Sequence, residues 1–155
     1  MQVIYEQSNS PLVISIPHSG TDIPHDIAPL CNPMAKREHT DWALQELVAP
    51  LFETTLAATV SRYIVDVNRF KPRARKATQP IIPRIDEVGH QLFNNYPSKQ
   101  KQADWLERYY TPYYLHLENL LNEKLEQHER VLLVDLHSYD DKLFRTSDII
   151  LGTRK

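Results

Sequence analysis

Val131-Leu132-Leu133-Val134-Asp135-Leu136-His137-Ser138 is the most apolar run in the chain, and it stops on an acid and an imidazole. Four to eight apolar, β-branched-rich residues bounded by polar ones read as a buried strand. Side chains two apart on a strand point the same way, so Asp135 and His137 share a face. An aspartate beside a histidine can orient its ring. The run therefore reads as a strand that carries a ligand-bearing histidine to the edge of a sheet.

Two other stretches end alike. Leu12–Ile16 (L-V-I-S-I) lies between Pro11 and Pro17 and leads into His18, Ser19 and Gly20. Tyr63–Val67 (Y-I-V-D-V) leads into Asn68 and Arg69, with Asp66 and Asn68 expected on one face. Leu56–Val60 is a weaker strand candidate, and Asp148–Leu151 is a short one before Gly152. Between them run helical patterns. Leu44, Leu47, Val48 and Leu51 share one face, with Thr40 or Asp41 as N-cap and Pro50 ending or bending the helix. After Ser98, apolar positions from Leu106 to Leu125 recur at helical spacing, with Pro112 expected to kink or split the helix. Trp105, Tyr109, Tyr110 and Tyr113 read as helix-on-sheet packing rather than a ligand box. Residues 69–96 are Pro-rich and aperiodic and read as one long loop, functional or mobile.

Strands alternating with helices point to an α/β fold with a mixed, largely parallel sheet flanked by helices. In such sheets ligands bind at the carboxyl ends of the strands. If the three strands are parallel neighbours, His18, Asn68, Arg69 and His137 converge on one crevice.

The totals narrow the function. At 155 residues the chain reads as one domain, and 41% apolar with 25% charged residues is ordinary for a soluble globular protein. A formal net charge of -2 argues against a nucleic-acid partner, although Lys71, Arg73, Arg75 and Lys76 form a basic run. That run reads as a solvated face or as steering for an acidic substrate. Cys31 is the one cysteine, so no internal disulfide forms and a cytoplasmic location is expected; it reads as a core residue. No run is long and apolar enough for a membrane, and the first ten residues carry no signal-peptide pattern. Only three glycines occur, which excludes a Gly-rich phosphate loop. The composition sets no oligomeric state.

Catalytic zinc takes three protein ligands, often two histidines and a carboxylate. His18 and His137 supply imidazoles, and Glu38-His39-Thr40-Asp41-Trp42 offers acids and His39 at a helix start. Helix capping is the other reading of those acids, and for Asp41 it explains the residue equally well. Arg69 beside Asn68 can receive a carboxylate, or it can form an ion pair with Asp66 or Asp135. Ser19 and Ser138 each follow a histidine, which alone makes no triad.

In order, V-I-S-I-P-H-S-G, H-T-D-W, S-R-Y-I-V-D-V-N-R, V-D-L-H-S and I-I-L-G-T span Leu12 to Thr153. This series resembles the N-formylglutamate amidohydrolase (deformylase) family of zinc carboxypeptidase-like and aspartoacylase-like hydrolases. The resemblance implies a phosphorylase/hydrolase-like α/β fold and a Zn2+-dependent amidohydrolase. Its substrate would be a small N-acylated acidic amino acid such as N-formylglutamate, as in histidine degradation. It implies His18 and His137 as metal ligands, with Asp41 as the acidic ligand and His39 and Glu38 as alternates, since D-T-D-W of many members reads H-T-D-W here. It implies Asn68 and Arg69, with Arg62, as the holders of the substrate carboxylate, and leaves Asp135 and Asp66 to buttress the histidines. The general-base glutamate of the similar hydrolases is expected beyond Lys155, so residues 1–155 would be the N-terminal portion of a longer family domain and weakly active alone. A non-catalytic module that binds a small carboxylate metabolite is the alternative.

Overall fold

The computed structural model describes residues 2–5, 8–69, 80–139 and 149–152. The basic run at 71–76 and Asp148 lie outside these residues. The first strand, β1 (Gln2–Tyr5), is followed by β2 (Leu12–Ile16), which starts and stops where Pro11 and Pro17 punctuate the sequence. A short helix, α1 (Leu44–Val48), runs into a 3-10 turn over Ala49–Leu51, and β3 (Thr54–Ala58) follows. Then come α2 (Lys99–Trp105), a π-helical turn over Leu106–Tyr110, α3 (Thr111–Gln127) and β4 (Leu132–Asp135).

The sheet order is β1-β3-β2-β4. β2 is parallel to both β3 and β4, and β1 lies antiparallel on β3. The mixed, largely parallel sheet is therefore present. Every residue of β3 is buried, as expected of a parallel strand covered on both faces. Alternation divides the core. Ile14, Ile16 and Ala57 pack with Leu44 and Val48 of α1. Leu56 and Ala58 face the other way, in a cluster with Trp105, Tyr109, Tyr110, Tyr113 and Leu120 of the long helix. The aromatic stripe is helix packing, as the sequence indicated. Fully burying a side chain the size of Leu56 contributes about 1.5–3 kcal/mol.

Pro112 does not split the long helix; where a kink or a split was expected, the helix runs on through a π turn. Pro112 sits in the first turn of α3, directly after the π turn. The backbone N–H of Thr111 donates to Leu106 O, five residues back. Pro112 has no N–H to donate and its ring crowds the preceding turn. The widened turn supplies the room.

Four expectations need correction, and one strand went unread. Tyr63–Val67 is not a strand: Ile64 and Val65 donate their N–H groups to Ser61 O in a helical turn, while all five residues are buried. Complete burial produces the same apolar run as a strand, and period cannot separate the two. The strand Val131–Leu136 is not buried: β4 has one described neighbour, and Leu132 is 61% exposed. Ile149, Ile150 and Leu151 form no strand among the described residues and are exposed. The N-cap of α1 is neither Thr40 nor Asp41 but Ala43, in left-handed backbone at φ 59°. Asp41 cannot cap because its carboxylate is engaged elsewhere. β1 went unread because Gln2–Tyr5 is short and its polar surroundings hide it.

Candidate metal centre

His18 and His137 follow β2 and β4, adjacent parallel strands, and so emerge at the same edge of the sheet. The register pairs Ser15 with Asp135, and Leu136 N donates to Ser15 O beyond it, so the ladder is closed up to the histidines. The two imidazole rings lie 4.7 Å apart, centroid to centroid. Asp41 reaches them because its backbone N–H donates to His18 O at 3.0 Å. Its Oδ2 stands 3.1 Å from His137 Nδ1 and 3.8 Å from His18 Nδ1. One donor atom from each of His18, Asp41 and His137 lies within 4.8 Å of the others.

Each of these groups is held from behind. His18 Nε2 donates to Asp66 Oδ1 at 2.8 Å, which leaves the Nδ1 lone pair facing the cluster. Asp66 is buried and also accepts from Asn68 N, Arg62 and Arg69. Burial would raise its pKa, but these donors outweigh it and hold the carboxyl below its ordinary value. On the other histidine, Nε2 lies 3.3 Å from Asp135 Oδ2. Asp135 accepts from Ser15 Oγ, which in turn meets the Tyr113 hydroxyl at 2.9 Å. Burial alone would lower the pKa of His137, but the carboxylates of Asp135 and Asp41 on either side push it up to about 9. Asp41 accepts from Ser138 Oγ at 2.8 Å as well, and its hydrogen bonds overcome burial to keep it ionised.

Asn68 and Arg69 border the cluster. The Asn68 side-chain amide lies 3.1 Å from His137 Nε2. Arg69 donates through Nε to Asp66 Oδ2 at 3.2 Å and is 37% exposed. This turn is fixed by the long helix: the Tyr114 hydroxyl donates to Val67 O and the Tyr110 hydroxyl to Arg69 O. Arg62 donates through NH1 to His18 Nδ1 at 2.9 Å. His39 and Glu38 sit elsewhere, the first 3.6 Å from Glu87 and the second 3.7 Å from Lys36, both exposed.

Two imidazoles and a carboxylate, converging on one point with the histidines oriented by carboxylates, match the donor chemistry of a zinc site. Exposed acids gather readily without a metal, but Asp41 is 5% exposed and His18 is 5% exposed. Burial of this kind needs a compensating cation or hydrogen bonds. The residues therefore fit the ion.

Sequence reasoning missed three supports. Ser15 and Tyr113 carry the hydrogen-bonded chain to Asp135, and Ser138 braces Asp41. A serine alternating with isoleucines in an otherwise apolar strand was the readable signal for Ser15. Gly20 has a spatial reason: a Cβ there would come within 2.5 Å of the Thr59 and Val60 backbones.

Comparison with known proteins gives concordant findings. A family model described as N-formylglutamate amidohydrolase matches residues 10–155. An N-formylglutamate deformylase of Pseudomonas putida is 31% identical over 166 residues, covering 96% of this chain and 61% of that protein. The deformylase of Pseudomonas aeruginosa is 32% identical over 163 residues, with the same coverage of 96% and 61%. The chain thus spans about three-fifths of the length of these curated relatives. Among solved structures, N-formylglutamate amidohydrolase from Ralstonia eutropha superposes with a TM-score of 0.71 at 22% identity, covering 97% of this chain and 63% of that one. A gene product of Agrobacterium tumefaciens gives 0.70 at 19% identity, covering 89% and 56%. These two likenesses establish the fold.

Proposed function

Because this chain belongs to the N-formylglutamate amidohydrolase family, we propose that it provides the metal and carboxylate-binding parts of a zinc-dependent amidohydrolase. The substrate is an N-acylated acidic amino acid, N-formylglutamate first among them. One observation carries the reading: His18, Asp41 and His137 converge within 4.8 Å at the sheet edge, with Asn68 at 3.1 Å from His137.

In this proposal His18, Asp41 and His137 hold the ion. Bound there, zinc supplies Lewis-acid polarisation of the acyl carbonyl and acidifies water to a pKa of about 7. Asp66 keeps His18 in the tautomer whose Nδ1 lone pair points inward. Asp135 and Asn68 fix the ring of His137. Arg69 and Asn68 receive the substrate carboxylate, with Arg62 on the same wall. That grip lays the amide across the three ligands and removes the entropy of finding the geometry. Positioned proton transfer is worth about 10²–10⁴-fold. Asp41, Asp66 and Asp135 are all held ionised by existing partners. We assign the proton shuttle to none of them, and hydrolysis by residues 1–155 alone is expected to be weak.

The test combines metal content with ligand affinity. Purified chain dialysed against zinc should carry one equivalent, lost in His18→Ala and in His137→Ala. Arg69→Ala should keep the zinc and weaken N-formylglutamate binding at least tenfold. Absence of zinc at saturation, with N-formylglutamate still bound, would replace this proposal with a metal-free carboxylate-binding module.

A further inference from the structure

Arg62 stands where a cation approaching His18 must come. His18 Nε2 is spent on Asp66 at 2.8 Å, so Nδ1 is the nitrogen with a lone pair to give. That lone pair already accepts from Arg62 NH1 at 2.9 Å. The same nitrogen is 3.8 Å from Asp41 Oδ2, on the side where the three donor atoms meet. The guanidinium is anchored by NH2 on Asp66 Oδ2 at 3.2 Å, and its side chain is 21% exposed. It can also donate to His39 O, 3.5 Å from NH1.

From this geometry we infer that Arg62 is an internal competitor for the metal: its guanidinium and the ion exclude one another at His18 Nδ1. A nitrogen lone pair accepts one donor at a time. A guanidinium is always charged, so proton loss cannot clear it, and it must swing away. A divalent ion seated between His18 and Asp41 would also repel it at short range. Swinging is feasible because Arg62 keeps Asp66 and the His39 carbonyl as partners, and because Arg69 holds Asp66 independently at 3.2 Å. Loading is then an exchange of an internal cation for an external one. The protein gives up metal affinity, and in return the buried carboxylates of Asp41 and Asp66 keep a compensating positive charge before the ion arrives. The released guanidinium turns toward the wall where Arg69 receives an anion.

This inference rests on the metal reading of His18, Asp41 and His137, and the experiment separates the two. Cobalt(II) is titrated into metal-free wild-type chain, Arg62→Gln, Arg62→Ala and His18→Ala, following visible absorbance for affinity and stopped-flow absorbance for association rate. Melting temperatures of the metal-free forms confirm that each variant is folded. Both Arg62 variants should bind cobalt about tenfold more tightly than wild type, with faster association, and His18→Ala should lose the site. If wild type binds cobalt in a His18-dependent way but neither Arg62 variant binds more tightly or faster, the competition is refuted and the metal site stands. If wild type binds no cobalt that His18→Ala removes, the metal reading and this inference fall together.

Discussion

At the scale of single residues, the chain spends its buried charges on fixing geometry. Asp86 shows it away from the candidate centre. Its carboxylate accepts from the backbone N–H groups of Lys36, Val88 and His90 and from the His90 ring. The bond from Lys36 ties that residue to the loop at 80–96, and the others close its turn, where Gly89 adopts φ +92°. Burial would raise the pKa of Asp86, yet the donors outweigh it and lower it to about 2. A carboxyl whose pKa is depressed on folding contributes stability that is full above its unfolded value of about 3.9 and fades as pH falls through the folded one. The stability gap between wild type and Asp86→Asn in urea should therefore be constant from pH 7 to 5 and narrow between pH 4 and 2. A gap that stays constant down to pH 2 would mean the carboxylate is not the clamp. Legibility at this scale was partial. The segment Glu38 to Asp41 offered three candidate ligands, and pattern could not choose among them. Burial and the backbone bond to His18 O bring Asp41 rather than Glu38 or His39 beside the two histidines, and both depend on the folded path of the chain.

At the scale of elements, the long helix serves the candidate site from behind. Its apolar period was readable, and so was the disturbance at Pro112, but the form that disturbance takes was not. A π turn changes which residues face the sheet. Tyr110, its last residue, and Tyr114 point at the carbonyls of the 66–69 turn, and Tyr113 points at Ser15. The stripe read as packing is thus also a set of hydroxyl clamps. Tyr110→Phe and Tyr114→Phe should each cost about 1 kcal/mol of stability. Together they should weaken N-formylglutamate binding severalfold and zinc affinity less, because they clamp the carbonyls of Val67 and Arg69, next to the Asn68–Arg69 pair, and touch none of His18, Asp41 and His137. Isothermal titration with each ligand separates the two effects; equal loss of both affinities would contradict the assignment. The segment 63–67 was misread for a related reason. Its residues are buried on all sides, and only the hydrogen bonds back to Ser61 reveal a turn.

At the scale of the whole molecule, topology does the assembling. β2 sits between β3 and β4 and runs parallel to both, so strands far apart in sequence end side by side. That is why His18 and His137, separated by most of the chain, come to 4.7 Å. The histidine-bearing ends of β2 and β4 were legible because Pro17 and the switch to Asp135 and His137 mark them in the sequence. The antiparallel addition of β1 and the exposure of β4 were not, since both depend on what lies beside a strand rather than on what it contains. Among the described residues no helix is long and apolar enough to cross a membrane. The account comes down to one point in space shared by His18, Asp41 and His137. Diffraction from crystals grown with zinc, recorded at the zinc absorption edge, locates that point directly. One strong anomalous peak within bonding distance of all three side chains is the predicted result; a peak elsewhere, or none, would contradict it.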